Sequence, residues 1–178
     1  LDLFFAQAGE YDGFALNDGN GNFSWRWIDE IITDFDKGHT YPTGGYGYYG
    51  FWSSEMTDVD SDGLIDLILG GSYKDQDYDA MFDGATILWG DGNGYYSMEN
   101  STTLFISKNL DYTEGRSISL SHDYAVNDFD GDGLKDVAVF SEMSDDWLYH
   151  IFKNNGERQF LDVTKNLNGL AAVMGHEI

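Results

Sequence analysis

The chain alternates short apolar runs with clusters of Gly, Asn and Asp. The clearest runs are Leu67-Ile68-Leu69 and Val137-Ala138-Val139-Phe140, each continuous rather than alternating. A continuous apolar run of this length predicts a strand covered on both faces. Elsewhere an apolar run, a turn and an aromatic follow one another: Leu16-Asn-Asp-Gly-Asn-Gly-Asn-Phe23, Trp89-Gly-Asp-Gly-Asn-Gly-Tyr-Tyr96 and, more weakly, Phe152-Lys-Asn-Asn-Gly-Glu-Arg-Gln-Phe160. These read as hairpins, with Gly and Asn supplying positive φ in the turn. No segment carries a convincing amphipathic helix. With 22 Gly, one Pro and 16% aromatics, the pattern predicts an all-β chain of short strands and tight turns.

The pattern repeats. Asp58-Val-Asp-Ser-Asp-Gly-Leu-Ile-Asp66-Leu-Ile-Leu aligns without gaps to Asp128-Phe-Asp-Gly-Asp-Gly-Leu-Lys-Asp136-Val-Ala-Val, 70 positions later. The start, Leu1-Asp2-Leu-Phe-Phe, matches the end of both, so Asp2 reads as the last residue of a loop cut away. Units of roughly 1–65, 66–135 and 136–178 follow within a single region covering 1–178. The spacings from Asp2 to Asp66 and from Asp66 to Asp136, 64 and 70 residues, each fit a four-stranded antiparallel sheet. Repeated sheets of this kind predict β-propeller blades, about two and a half to three of a larger ring. The chain is too short to close that ring. Neighbouring blades of the same parent chain are therefore expected partners, and the start without Met reads as a processed or excised fragment. The tail, Ala171–Ile178, reads as a strand leading to another loop.

Charge narrows the chemistry. The net charge of −23 repels phosphate backbones and anionic lipid, so no nucleic-acid partner is expected. No run is long and apolar enough for membrane insertion by a helix. Without Cys there is no disulfide, thiolate metal site or Cys nucleophile. The two loops use eight of the 32 acids, so a solvated acidic surface and a cation site are compatible readings.

Asp58, Asp60, Asp62 and Asp66 put four carboxylates in nine residues, as do Asp128, Asp130, Asp132 and Asp136. Without a counterion they repel. Ca2+ takes six to eight oxygens in flexible geometry, whereas Mg2+ demands a smaller octahedral shell. No His or Cys lies in either loop, which disfavours zinc or copper. An EF-hand needs Glu at position twelve and flanking helices. Here position twelve is Leu69 or Val139, and strands follow. An acidic turn without metal is the plain alternative for one loop; two in register, each feeding an apolar strand, weigh against it.

This arrangement resembles the FG-GAP/VCBS repeat family, the calcium loops of integrin α-subunit propellers and of many bacterial surface and secreted proteins. The resemblance rests on both loops, the half loop at Asp2 and the Asn-Gly-aromatic turns. Phe-Gly and Gly-Ala-Pro marks are missing, so it is closest to the bacterial VCBS type. It implies Ca2+ ligation by Asp58, Asp60, Asp62, the Leu64 carbonyl and Asp66, and by Asp128, Asp130, Asp132, the Leu134 carbonyl and Asp136. A truncated third site at Asp2 would join these two complete ones. It further implies an extracellular or cell-surface location and a non-enzymatic adhesion or recognition role toward a glycan or protein ligand. The alternatives are the propeller region of a secreted polysaccharide lyase or hydrolase, and a pure scaffold.

Other features carry less. The segment Tyr41–Trp52 is aromatic and Gly-rich, suited either to sugar stacking or to packing between blades. Ser72–Asp83 is an acidic insertion, read as a solvated loop rather than a binding loop. His39, His122, His150 and His176 are scattered, with a structural role favoured over catalysis. Glu55 and Asp123 stand near the loops as candidate outer-shell partners. No nucleophile elbow appears.

Overall fold

A computed structural model describes residues 2–5, 13–34, 53–70, 84–105, 119–143 and 146–164. The aromatic segment 41–52, the insertion 72–83, His39, His176 and the tail 171–178 lie outside these residues. The chain is all-β, as its patterning predicts. Eleven strands form three antiparallel sheets, and the one helix among the described residues is the single turn α1 (Ile28–Ile31). No helix here is long and apolar enough to cross a membrane.

The first sheet holds β1 (Leu3–Phe5), β2 (Gly13–Asn17) and β3 (Phe23–Trp27). The second holds β4 (Ser53–Thr57), β5 (Asp66–Gly70), β6 (Gly84–Leu88) and β7 (Ser101–Phe105). The third holds β8 (Ser119–Asn127), β9 (Asp136–Met143), β10 (Asp146–Asn154) and β11 (Phe160–Asp162). Each acidic loop joins the first two strands of one sheet: β4 to β5, and β8 to β9. A repeat unit counted from the ninth loop position thus runs from the second strand of one sheet to the first strand of the next.

The three sheets stack with one recurring rule. Leu67 and Leu69 of β5, with Leu88, pack toward the first sheet against Phe14, Ile31, Ile32 and Tyr96. Ile68, between them in sequence, packs with Ala85, Ile87 and Trp89 against Val137, Val139 and Phe152 of the third sheet. This follows from the pleat, which sends successive side chains to opposite faces. It explains why Leu67, Ile68 and Leu69 are all apolar and why β5 is buried at all five positions. Val137 and Val139 use the same phase as Leu67 and Leu69, facing the sheet before. Residues just after the ninth loop position therefore face backward, and the next one faces forward.

The rule also accounts for the two ends of the stack. In the first sheet, the backward-facing Leu3 and Phe5 are 42% and 43% exposed, beside Trp25 and Trp27 at 42% each. Phe5 and Trp25, and Trp25 and Trp27, have ring centroids 5.7 Å apart. At the far end, Val59 of the first acidic loop is buried under the third sheet. Phe129, at the same place in the second loop, is 46% exposed, because no described sheet follows.

The three Asn-Gly turns differ. Residues 18–22 close the β2–β3 hairpin, with Asp18 N–H donating to Asn22 O at 3.0 Å. Asn155 N–H donates to Gln159 O at 2.8 Å in the β10–β11 turn. The middle turn does not lead directly into a strand. Tyr96 instead forms a parallel bridge with Ile32, and β7 starts only at Ser101. The Tyr96 ring is buried against Phe14, with centroids 6.1 Å apart. The gain from burying that aromatic between two sheets outweighs a tight turn.

His150 lies in the seam between the second and third sheets, on the face it shares with Phe152; their rings stack at 6.1 Å. It is 9% exposed, and Nδ1 is 3.5 Å from Asp162 Oδ2, at the limit of a hydrogen bond. Burial holds the imidazole pKa below its ordinary value, with Asp162 acting in the opposite sense. The unfolded chain takes up this proton near pH 6.5, and the folded chain only lower. Stability is therefore full above about pH 6.5 and falls as pH drops toward the folded pKa. In His150→Leu the drop in melting temperature between about pH 7.5 and about pH 5.5 should be smaller than in the parent chain. Equal drops in thermal scans would contradict this.

Candidate metal centre

Both acidic loops have the same internal frame. Asp66 begins β5 with its side chain fully buried. Its Oδ2 accepts from Val59 N–H at 2.7 Å, and its Oδ1 from Gly90 N–H at 2.9 Å. Asp136 repeats this, with Phe129 N–H at 3.0 Å and Asn154 N–H at 2.9 Å. The ninth-position carboxylate thus ties the loop's second residue to the chain at the end of the sheet's third strand or two residues beyond it. Asp2 makes the matching contact in the first sheet, accepting from Asn17 N–H at 2.8 Å. It is exposed, and no other acid gathers with it among the described residues.

The other positions also correspond. Asp58 Oδ2 accepts from Gly63 N–H at 3.1 Å, and Asp128 Oδ2 from Gly133 N–H at 2.9 Å. Asp60 Oδ1 accepts from Asp62 N–H at 3.2 Å, and Asp130 Oδ1 from Asp132 N–H at 3.1 Å. Asp62 and Asp132 accept from Leu64 and Leu134 N–H at 2.8 and 2.9 Å. Gly63 and Gly133 sit at φ +90° and +91°, a conformation open to Gly at little cost. Ser61 takes φ +64° where the second loop has Gly131 at +82°.

These bends bring Asp58, Asp60 and Asp66 together, and likewise Asp128, Asp130 and Asp136, with one oxygen of each within 4.8 Å of the others. Oxygens no farther apart than this are close enough to share a single metal ion. Asp62 and Asp132 stand outside the two triads. The donor set is oxygen alone, which suits a hard dication. Asp58 Oδ1 is buried with no hydrogen-bond partner, leaving a carboxylate oxygen free to take a cation. Burial raises the Asp66 pKa, helped by the charges of Asp60 and Asp62 and opposed by the Gly90 and Val59 amides.

Basic side chains already stand at both loops. Lys153 Nζ bridges Asp130 Oδ2 and Asp132 Oδ2, the latter at 2.8 Å. Arg158 bridges Asp60 Oδ2 at 2.8 Å and Asp62 Oδ2 at 3.3 Å. Lys153 lowers the Asp132 pKa, and the two carboxylates raise that of Lys153. Lys135, at position eight of the second loop, donates to the Asp58 carbonyl. Sequence spacing gives no hint of these contacts, since Arg158 lies 98 residues from Asp60. Asn17, Gly90 and Asn154 were within reach of it, because each ends an apolar run at the same place in the repeat.

The candidate outer partners stand apart. Glu55 makes no hydrogen bond to either loop, and Asp123 accepts from its neighbour Tyr124 N–H at 2.9 Å. The His122 ring lies against Phe140, centroids 6.2 Å apart.

No family model matches the chain, and neither a curated protein nor a solved structure matches it. The reading of these two acidic clusters rests on their own geometry.

Proposed function

We propose that this chain is a calcium-stabilised β-propeller region of the FG-GAP/VCBS type, from an extracellular or cell-surface protein, with a non-enzymatic recognition role. The observation that carries the proposal is the duplication: two successive sheets hold four aspartates in the same hydrogen-bonded frame, and both sheets stack by the same rule. Head-to-tail stacking leaves unlike faces at its two ends, and such contacts close into rings when the rotation allows. The exposed Leu3, Phe5, Trp25 and Trp27 face is the place for a preceding blade of the parent chain. Calcium acts here as a structural staple that neutralises each loop and pins its turn between two strands. The outside of a cell supplies calcium at the concentrations that weak extracellular sites need.

Recognition is tested on a glycan array, probed with calcium and then with EDTA. Binding that disappears on chelation is the expected result. Absence of glycan binding in calcium would leave a protein ligand or a scaffold role.

A further inference from the structure

The third and fifth carboxylates of each loop are used alike. One oxygen accepts a loop amide, and the other turns toward a single basic side chain. The basic residue comes from a different place in each case. Lys153 belongs to β10, in the same sheet as its loop. Arg158 belongs to the β10–β11 turn of the third sheet and crosses to the loop of the second. Two unrelated positions thus place positive charge at the same point of two equivalent loops.

We infer that Lys153 and Arg158 are built-in competitors of the dication, holding the acidic loops in their folded shape when calcium is scarce and weakening calcium binding when it is present. The inference rests on the calcium reading above. Without a cation, four carboxylates in nine residues repel; one tethered ammonium or guanidinium relieves part of that. When a dication enters, the same group becomes a like charge a few ångströms away. Repulsion between a dication and a monovalent cation at that distance, even in water, weakens binding by on the order of tenfold. Such tuning would keep the loops in the range of extracellular modules, near 10⁻⁴–10⁻³ M, rather than that of tight cytosolic buffers.

The two competitors differ in what their release does. Lys153 displacement stays within one sheet. Arg158 also sits over the Trp89 ring, 4.5 Å from its centroid, and its NH1 is 3.4 Å from Asn100 Oδ1. Its carbonyl accepts from Thr102 Oγ1 at 3.2 Å. Filling the first loop therefore acts, through Arg158, on the contact between the second and third sheets, whereas Lys153 gives the second loop no such route.

The test is calorimetric titration of the full chain with CaCl2 in single-site backgrounds. Asp128→Ala leaves the first loop and Asp58→Ala the second. Arg158→Met in the first background, and Lys153→Met in the second, should each tighten binding by on the order of tenfold. Both should lower the melting temperature in EDTA more than in saturating calcium. Lys153→Arg, which keeps the charge, should bind calcium like the parent. The part of the tryptophan emission lost in Trp89→Phe should respond to calcium only where the first loop is intact. Unchanged or weaker calcium affinity in both Met variants, with circular dichroism showing a native fold, would overturn the inference and leave the calcium reading standing. No calcium uptake by the unmodified chain at millimolar concentration would overturn the calcium reading itself, and the inference with it.

Discussion

Stripping calcium with EDTA should lower the melting temperature by about 10–20 °C. A ligand that binds only the folded state adds about 2.7 kcal/mol when present at a hundred times its Kd, which for sites of about 10⁻⁴–10⁻³ M means about 10–100 mM calcium, so at that concentration two sites add about 5 kcal/mol. For a chain of this size each kcal/mol moves the midpoint by about 2–4 °C. The physical source is local. Each loop holds four carboxylates between two strands of one sheet, and without a dication Lys153 or Arg158 offsets part of their repulsion. The effect should saturate with added calcium and be weaker with magnesium, which demands a smaller, near-ideal octahedral shell and dehydrates reluctantly. Differential scanning with EDTA, calcium and magnesium measures it. Identical midpoints in EDTA and calcium would count against the staple.

Asp66→Ala should be the most damaging single aspartate substitution in the first loop. It removes a proposed metal ligand and also abandons two amides, those of Val59 and Gly90, which Asp66 holds inside the fold. A buried amide left without a partner costs about 1–3 kcal/mol. Burying a carboxylate is itself unfavourable, as its raised pKa shows, and losing it returns part of that cost. A net loss of about 3–5 kcal/mol in calcium is expected, part of it persisting in EDTA. Asp2→Ala is the control. Asp2 makes the corresponding contact to Asn17 but is exposed, so water can replace it and the loss should stay under about 1 kcal/mol. Chemical denaturation of both variants in EDTA separates the roles. Equal stabilities there would mean that Asp66 serves the metal alone.

The all-β class and the loops were legible because both are written in local patterns. Asp66-Leu-Ile-Leu announces a strand covered on both faces, and the second sheet, between two others, covers it. Four aspartates with one Gly at fixed spacing announce a turn that gathers oxygens. What stayed hidden was set by distance along the chain. Arg158 meets Asp60 only because the third sheet stacks on the second, and no local pattern encodes that approach. Tyr96 looked like the first residue after a hairpin turn, yet packing against Phe14 pulled it into a bridge with Ile32. Local turn chemistry predicted the bend and not the burial that redirected its exit. No local pattern marks Trp25 and Trp27 as exposed. Only the stacking rule shows that they occupy the side on which a preceding sheet would pack.

The central claim is most directly tested by counting bound calcium on the intact chain by equilibrium dialysis at about 10 mM free calcium, which fills sites of about 10⁻⁴–10⁻³ M. Two ions per chain are predicted, falling to one in Asp58→Ala or Asp128→Ala and to none when both are changed. A count near zero in the unmodified chain, or one unaffected by either substitution, would contradict it.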